Sequence, residues 1–197
     1  MPQTDNELIN MAVSGDALAF DELVCRYDKM VLAIAVKYAE DNDDAKDIYQ
    51  DVFIRVYRGL KKFKFESEFS TWLFRITTNV CLTYSSQKKK KKFVSIFNEE
   101  DEENESISGL QDQENTPEKF TASSEIFENI NSAVNHLPPK QKMIFILKHF
   151  EGYKLREISE IMDIKEGTVK KYLFASGSVV LARPVRRSFS EGGGWLW

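Results

Sequence analysis

The sequence has little cysteine or histidine, the residues that most often build metal sites, disulfides and nucleophilic active sites. It contains two of each among 197 residues. Cys25 and Cys81 both fall within apolar helical patterns, so we expect buried thiols in a reducing compartment and no disulfide. Long hydrophobic runs are also missing, because charged residues interrupt every apolar stretch, and there is no signal-peptide pattern. These absences predict a soluble cytoplasmic protein without membrane insertion.

The motifs of common catalytic sites are absent as well. There is no glycine-rich phosphate loop and no nucleophile motif with a partner histidine. The best candidate for metal-dependent hydrolysis is a group of carboxylates at Asp41, Asp43, Asp44, Asp47 and Asp51. A helix would place three of them, Asp43, Asp47 and Asp51, on one face. An open metal site needs further convergent ligands, and His136 and His149 lie in a distant part of the chain. A solvated acidic face or a partner-binding surface is favoured, and we expect no catalytic residue, no metal and no cofactor.

The composition is that of an ordinary globular protein, with 42% hydrophobic and 29% charged residues, and leaves room for one larger or two small domains. The net charge of −4 is unevenly distributed. Residues 99–124 carry one lysine against nine acidic residues, whereas the parts before and after them are mildly basic. An acidic total therefore does not exclude binding to nucleic acid. The acidic segment has few apolar residues, so we expect it to be a flexible linker.

Apolar residues recur at helical spacing through the first half of the chain. They predict four helices that pack as one domain, at residues 6–15, 16–39, 43–61 and 71–87. Asp16 and Ser70 are suitable N-caps for the second and fourth of these helices. The five lysines of Lys88–Lys92 follow the last helix, and the helical pattern ends at Phe93.

The loop between the third and fourth helices, Phe63–Ser70, combines three phenylalanines with charged residues. Loop residues of this mixed character seldom all pack into a core, so we expect exposed rings there. Phe53, Trp72 and Ile76 stand at helical spacing and are assigned to the core. This combination suits the binding of a nucleic acid strand with unstacked bases: exposed aromatic rings, polar side chains on the next helix, and a run of lysines at the end of that helix.

A second helical unit is predicted from about Ser123 onward. Its first helix is broken by Pro138–Pro139, a second helix spans Lys140–Phe150, and two short helices follow around a turn at Asp163–Lys165. Two short helices joined in this way are typical of a helix-turn-helix, which presents its second helix to the DNA major groove. We expect that last helix to span Glu166–Phe174.

Together these residues resemble a known family. Asp47–Phe53 (DIYQDVF), Phe69–Ile76 (FSTWLFRI) and Asn79 are similar to conserved region 2 of bacterial RNA polymerase sigma factors, particularly those of the compact extracytoplasmic-function group. The second unit resembles sigma region 4, through LPP at 137–139, GY at 152–153, EIS at 157–159 and GTVK at 167–170. The two regions in this order, separated by a linker, form a specific combination.

The resemblance implies an all-α protein with two small helical domains joined by a flexible acidic linker. The expected parts are a region 2-like domain at 1–92, the linker at 93–122, a region 4-like helix-turn-helix domain at 123–175 and a tail at 176–197. The implied function is that of a sigma factor, which binds core RNA polymerase, recognises the −35 and −10 elements of promoter DNA and helps to melt the DNA. Catalysis would belong to the polymerase, and an anti-sigma protein is the expected regulator.

The resemblance also assigns roles to particular residues. It implies docking on a coiled coil of the polymerase largest subunit through Asp47, Gln50, Asp51 and Ile54. It implies contacts with the −10 element, including a pocket for a flipped base in the 63–70 loop, through Phe63, Lys64, Phe65, Phe69, Arg75, Asn79 and Lys88. At the −35 element the expected contacts come from Thr168, Lys170, Lys171 and Phe174.

Two alternatives remain open on the residues alone. A polymerase-independent helix-turn-helix regulator would use the second unit but leaves the first unexplained, and a nucleic-acid hydrolase would use the acidic series of the first. The chain also departs from the family pattern after Phe174, where arginine-rich helix is usual. From Ala175 it turns to glycine, serine and tryptophan without a helical period. This segment resembles an altered reading frame or a cloning remnant, and we expect it to be disordered.

Overall fold

The computed structural model describes residues 3–98 and 130–181, and within these ranges all regular structure is helical. The first range holds α1 (Asp5–Val13), α2 (Ala17–Tyr38), α3 (Asn42–Gly59), a 3₁₀ turn (Leu60–Lys62) and α4 (Phe69–Asn98). The second holds α5, described over residues 130–135, α6 (Pro139–Phe145) with a π-helical extension (Ile146–Phe150), α7 (Leu155–Met162) and α8 (Glu166–Leu181). The prediction of an all-α fold is confirmed.

Short side chains with oxygen acceptors cap the first helices. Asp16 caps α2, as predicted, and Asp41 caps α3, each by accepting hydrogen bonds from backbone N–H groups of the first turn. Ahead of α1, Thr4 and Glu7 form a reciprocal capping box, a pattern that the sequence contains but that we did not predict. These caps fix where α1, α2 and α3 begin, and hence the short turns between them.

α4 is longer than predicted at both ends. It begins at Phe69, so Ser70 lies inside its first turn and the prediction of Ser70 as the N-cap was wrong. It runs through Lys88–Lys92 to Asn98, because lysine is a good helix former and neither glycine nor proline interrupts this stretch. The expected domain boundary at residue 92 therefore falls inside a helix. Residues 99–122 of the expected linker lie outside the described residues.

The helices of the first range enclose an apolar core. Its largest fully buried members come from α1 to α4 and include Leu8, Leu23, Ile34, Ile48 and Leu73. The predicted inner stripe of α3 is confirmed, since all four of its apolar residues are buried. Because the opposite side of α3 is free of this packing, its polar face is presented to solvent.

One of the two thiols expected in the core lies at the surface. Cys81 is buried in α4, and burial raises its pKa to about 12, so the thiol stays protonated at neutral pH. Cys25 is exposed, and the prediction of its burial was wrong. It stands seven residues from both Leu18 and Leu32, two exposed leucines of the same helix face. Since α2 is apolar on its outer side too, hydrophobic spacing alone did not identify the inner side.

Sharp turns separate the helices of the second range. Pro139 occupies the first turn of α6, where the missing N–H of proline leaves no hydrogen bond unmade. Gly152 follows the π-helical extension with φ +76°, and Asp163 ends α7 with φ +52°. Glycine and aspartate tolerate this left-handed conformation better than most residues. The turn at Gly152 leads into α7, and the turn at Asp163 sets the angle between α7 and α8.

α8 continues to Leu181, so the expected end at Phe174 and the irregular chain expected from Ala175 were wrong for residues 175–181. The hydroxyl of Ser176 is buried and donates to the carbonyl of Tyr172 one turn earlier. Val180 packs against a small apolar cluster that includes residues of α5 and α6. Packing and local hydrogen bonds therefore override the weak helix propensity of glycine and serine here. Residues 182–197 lie outside the described ranges.

The two helical units pack against each other. α2 and α4 of the first unit contact α6, its π-helical extension and α7 of the second, and one apolar core runs through both. Phe74 of α4 is 1% exposed and meets Tyr153 edge to face, with ring centroids 5.6 Å apart. Hydrophobic periodicity predicted two domains but carried no sign of this contact.

Candidate nucleic-acid and protein-binding surfaces

An apolar groove of about 620 Å³ lies between α2 and α3. It is lined by Phe20, Val24, Tyr49, Gln50, Phe53, Ile54, Tyr57 and Arg58. The rings of Phe20 and Tyr57 meet edge to face between the helices, with centroids 5.1 Å apart, and Tyr57 is 62% exposed. An open groove of this kind suits the apolar side of a partner helix.

The four residues predicted to bind the polymerase share the face of α3 at this groove. Gln50 and Ile54 line it, and Ile54 is 46% exposed although its side chain is apolar. Asp47 is exposed, and the half-buried Asp51 forms an ion pair with Arg55 at 2.8 Å. The face therefore offers an apolar contact beside two carboxylates, which an amphipathic helix with basic residues would complement.

The phenylalanines between α3 and α4 form a cluster with Trp72. The centroid of the Phe63 ring lies 4.9 Å from that of Phe65 and 5.1 Å from that of Trp72, and Phe69 lies 5.8 Å from Trp72. Phe63 is 9% exposed and Phe69 2% exposed. The expectation that the rings of this loop are exposed was therefore wrong for these two. Because α4 already begins at Phe69, that ring belongs to a helix and turns into the core.

Phe65 keeps an accessible ring in this loop. It is 45% exposed, and its backbone φ of +57° lies in the left-handed region, which costs a residue with a Cβ about 1–3 kcal/mol. Its ring leans on the buried Phe63, and its neighbour Lys64 is exposed. A strained residue that holds an accessible ring beside a cation has the features of a base-stacking position.

Two predicted contacts on α4, Arg75 and Asn79, are exposed one turn apart on the same helix face. The amide of Asn79 can donate to and accept from a base edge. The guanidinium of Arg75 donates from Nη2 to the backbone carbonyl of Glu160 in α7, at 2.9 Å. Arg75 therefore contacts the second helical unit in this structure, and a phosphate would have to compete with that carbonyl.

Lys88, predicted to meet phosphate, has its charge compensated within the protein. Its Nζ lies 2.9 Å from a carboxylate oxygen of Glu40 and 2.5 Å from one of Asp44, which also accepts a hydrogen bond from Tyr84. That hydrogen bond raises the pKa of Tyr84 to about 12. Burial acts to raise the pKa of Asp44, but the hydrogen bonds from Lys88 and Tyr84 outweigh it and lower that pKa. Lys88 thus ties α4 to the α2–α3 turn, and the exposed Lys89 begins the accessible part of the lysine run.

α7 and α8 have the predicted helix-turn-helix arrangement. The N–H of Ile164 donates to the carbonyl of Ser159 at 3.0 Å and closes the turn, and Val169 anchors α8 at 0% exposure. The predicted DNA contacts lie away from that anchor. Lys170 and Lys171 are exposed, Phe174 is 80% exposed, and Thr168 is half-buried near the start of α8. Since these residues share the outward side of α8, they can enter a groove together.

Two family models match the chain. The model of sigma-70 region 2 matches residues 23–91, and the model of sigma-70 region 4 matches residues 127–176. The ECF RNA polymerase sigma-E factor of Haemophilus influenzae is 32% identical over 177 residues, which cover 90% of this chain and 93% of the relative. The chain belongs to the sigma-70 family. It is a sigma factor of the extracytoplasmic-function type, the class of protein that directs RNA polymerase to promoters.

Other comparisons agree with this family. The RNA polymerase sigma-H factor of Pseudomonas aeruginosa is 30% identical over 179 residues, 90% of this chain and 92% of the relative. The structure of CnrH in complex with the cytosolic domain of CnrY has a TM-score of 0.62 at 19% identity, covering 90% of this chain and 95% of that one. The sigma factor RpoE from Bartonella quintana, in complex with the anti-sigma factor NepR, has a TM-score of 0.57 at 20% identity, covering 82% and 93%. At these identities the two structures support the fold alone.

The polar contacts between region 2 and region 4 of this sigma factor were missed by sequence reasoning. Nζ of Lys37 lies 2.6 Å from the carboxylate of Glu151. Lys142 is 6% exposed and donates to the carbonyl of Tyr38 at 2.6 Å, and burial lowers its pKa. Because a lysine on a helix is ordinarily solvated, neither lysine carries a sequence signal of its burial.

The acidic series of α3 has the character of a solvated face. Asp43 pairs with Lys46 at 2.9 Å and Asp51 with Arg55, each within one turn of the same helix. Within residues 3–98 and 130–181, no three His, Cys, Asp or Glu side chains are arranged to hold a metal ion. In the same parts of this sigma factor, no helix combines the length and the hydrophobicity that crossing a bilayer requires.

Proposed function

We propose that the α2–α3 groove binds core RNA polymerase, with Ile54 and Gln50 at the contact and Asp47 and Asp51 pairing with basic residues beside it. The observation that carries this proposal is the exposed Ile54 in an apolar groove on a face that is otherwise acidic. A purely solvated acidic face would not need an accessible groove lined by aromatic rings. The partner helix would come from the coiled coil of the polymerase largest subunit, as the family resemblance implies.

The residues proposed for the −10 element have two roles: the exposed ones would contact the DNA, and the buried ones would support them. Phe65 supplies an exposed ring on which a flipped base stacks, and Asn79 reads a base edge, while the buried Phe63 and Phe69 support the pocket from beneath. Stacking is worth about 1–3 kcal/mol per base, which offsets much of the cost of unstacking it from the duplex. Lys64, Arg75 and the exposed Lys89 would contact phosphates and make binding dependent on salt. Lys88 would join them only by leaving its carboxylate partners Glu40 and Asp44.

At the −35 element, α8 would enter the major groove. Lys170 and Lys171 can reach guanine edges, each good pair being worth about 1–3 kcal/mol of discrimination. Thr168, near the start of the helix, would contact a backbone phosphate, and the exposed ring of Phe174 would pack on a thymine methyl group or on the sugar backbone.

We further propose a cytoplasmic protein without catalytic activity of its own, regulated by an anti-sigma protein. The solved neighbours CnrH and RpoE were each determined in complex with a protein partner, which for RpoE is named as an anti-sigma factor. The exposed groove and the exposed side of α8 are surfaces that such a regulator would cover, because covering them blocks both polymerase and DNA.

Run-off transcription with purified core polymerase tests the proposed function. Adding this chain should produce promoter-specific transcripts, and Ile54→Ser should weaken binding to core polymerase by about ten- to a hundredfold, as loss of a buried aliphatic contact does. Leu32→Ser is the matched control, since Leu32 is 43% exposed on α2 and does not line the groove. It should leave binding unchanged.

The two alternative functions, a polymerase-independent regulator and a nucleic-acid hydrolase, predict different results. A polymerase-independent regulator would bind operator DNA tightly without polymerase and would support no initiation. A nucleic-acid hydrolase would cleave DNA or RNA in the presence of a divalent metal and would lose that activity on Asp47→Ala and Asp51→Ala. Equal binding of core polymerase by the Ile54→Ser and Leu32→Ser variants would refute the assigned groove.

A further inference from the structure

A cavity of about 360 Å³ lies where the end of α2, the second half of α4 and the turn between α5 and α6 come together. Side chains from all three places line it, among them Tyr38, Glu40, Ser85, Lys89, Leu137 and Lys142. It shares no lining residue with the α2–α3 groove, and none comes from α8. A volume of this size is at the lower end of the range for small-molecule sites.

The ammonium group of Lys142 has hydrogen-bonding capacity to spare at this cavity. The residue is 6% exposed, and its Nζ donates to the backbone carbonyl of Tyr38 at 2.6 Å. An ammonium carries three donors, and within the part of the chain that the structure describes this is the one acceptor it reaches, beside the Tyr38 ring at 5.1 Å. Burial lowers the pKa of Lys142, against the influence of Glu40. A buried cation with unused donors favours a ligand that brings negative charge and acceptors.

The hydroxyl of Tyr38 is a second buried polar group at this cavity. Tyr38 is 5% exposed, and its hydroxyl has no hydrogen-bond partner among the described residues. Burial raises the pKa of this hydroxyl, and the nearby Ser85 opposes that shift without forming a hydrogen bond of normal geometry. Since nearly all buried polar groups in proteins are paired, a hydroxyl in this position indicates an acceptor supplied by a ligand.

The uncompensated charge around the cavity is positive. Among its described lining residues Glu40 is the one carboxylate, and it pairs with Lys88 at 2.9 Å. Lys89 and Lys142 have no carboxylate partner in residues 3–98 and 130–181. Two free cations and a free hydroxyl match a phosphate group, which offers several acceptor oxygens and up to two negative charges at neutral pH. Lysine commonly binds phosphate as a point charge.

We propose that this cavity binds the phosphate group of a small molecule, either inorganic phosphate or a small organic phosphate, through Lys142, Tyr38 and Lys89. Lys142 and Tyr38 are buried and would hold the phosphate oxygens away from water, whereas the exposed Lys89 adds charge at the entrance. Of the residues proposed to contact polymerase or DNA, only Lys88 and Lys89 line the cavity. The inference therefore does not rest on the proposed function.

Titration of the full chain with inorganic phosphate, followed by heteronuclear NMR at constant ionic strength, tests the site. Amide signals of Tyr38, Ser85 and Leu137, which come from the three parts of the chain around the cavity, should shift together and saturate. The expected Kd is on the order of 1 mM, because the probe is small and is held by a few charge-assisted hydrogen bonds.

Two substitutions remove the proposed contacts while keeping the shape of the cavity. Tyr38→Phe removes the hydroxyl alone, and Lys142→Met replaces the ammonium with an unbranched apolar chain. Each should weaken phosphate binding about tenfold, since one hydrogen bond to a charged group is lost. Tyr153→Phe is the matched control, because the Tyr153 hydroxyl is also buried without a described partner but does not line the cavity. Lys140→Met is the control for charge, since Lys140 is exposed on α6 and does not line the cavity either. Both controls should bind phosphate as the wild type does.

Thermal unfolding separates loss of the site from damage to the fold. Without phosphate, Tyr38→Phe should unfold at the wild-type temperature or above it, because an unpaired buried hydroxyl is removed. Saturating phosphate should raise the Tm of the wild type and of both controls, since it binds the folded chain. It should raise the Tm of Tyr38→Phe less. This variant tests the site even if Lys142→Met does not fold.

Ribose 5-phosphate and ribose distinguish the two sources of the phosphate group. Tighter binding of ribose 5-phosphate than of inorganic phosphate, with no binding of ribose, would identify an organic phosphate as the ligand. Equal or weaker binding would identify inorganic phosphate. The absence of a saturable shift at the cavity with either phosphate overturns the proposal. Equal phosphate binding by the wild type, Tyr38→Phe and Lys142→Met also overturns it, because the ion would then meet only surface lysines.

Discussion

At the scale of single residues, Asp44 shows how one carboxylate connects separate elements. It stands in the first turn of α3 and accepts hydrogen bonds from Lys88 and Tyr84, both on α4. Its side chain is 13% exposed, so the interactions are only partly screened by water. Together these groups fasten the α2–α3 turn to the far half of α4.

Asp44→Asn should destabilise the chain by about 1–2 kcal/mol at pH 7, because the hydrogen bonds lose their charged acceptor. The pKa of Asp44 is lowered in the folded state. The stabilisation is therefore complete above the ordinary pKa of aspartate and is lost as the pH falls through the lowered folded value. Urea unfolding from pH 7 to pH 3 should show the wild type converging on the variant at the acidic end. A constant difference across this range would contradict the assignment.

The placement of single residues, in a cap or at the surface, was more predictable from sequence than their interaction partners. The Asp16 cap of α2, the exposed Ile54 and the outward lysines of α8 could be placed from sequence, since each depends on local spacing or on the residue's own chemistry. The pairing of Lys88 with Glu40 and Asp44 could not, because the partners lie more than forty positions away and a lysine run ordinarily indicates solvated charge. For the same reason the burial of Lys142 had no signal in the sequence.

At the scale of elements, the loop between the 3₁₀ turn and α4 holds one buried ring that gives support and one exposed ring that can contact DNA. Phe63 is buried against Trp72, whereas Phe65 is accessible and adopts a left-handed backbone. The two rings touch, so the buried one can fix the position of the exposed one. This arrangement holds a stacking surface in place before the base arrives, which reduces the cost of ordering on binding.

Phe65→Ala should slow promoter melting about tenfold or more, through loss of one stacked base worth about 1–3 kcal/mol, while thermal stability changes little. Phe63→Ala should instead destabilise the chain by about 3 kcal/mol, because a buried aromatic is lost. Permanganate reactivity of promoter thymines measures melting, and differential scanning calorimetry measures stability. Normal melting rates for Phe65→Ala would remove this residue from the proposed −10 contacts.

Helix positions followed from periodicity, but several helix ends did not. The inner stripe of α3 and the turns around α7 were predictable because apolar spacing and turn residues agree there. α4 continues through the lysines and α8 through Gly177, where propensity and packing act without an apolar stripe. Within Phe63–Ser70, composition predicted exposed rings, but two of the three are buried. Phe63 packs against Trp72, and Phe69 lies in the first turn of α4, which starts earlier than predicted.

At the scale of the whole molecule, regions 2 and 4 share one apolar core. Contacts between the regions connect residues far apart in sequence, so periodicity within each region cannot reveal them. The sequence thus predicted both domains and their order but not their association.

Because one apolar core runs through both regions, we expect them to unfold together. The wild-type chain should unfold in a single cooperative transition in differential scanning calorimetry, with equal calorimetric and van't Hoff enthalpies. Tyr153→Ala removes the ring that packs on Phe74 and should split this into two transitions, region 4 melting first because its helices α6 and α7 are short and depend on the interface for burial. Tyr57→Ala is the control, since Tyr57 is 62% exposed at the α2–α3 groove, and it should keep one transition. Two transitions in the wild type would mean that the shared core contributes too little free energy to couple the unfolding of the two regions.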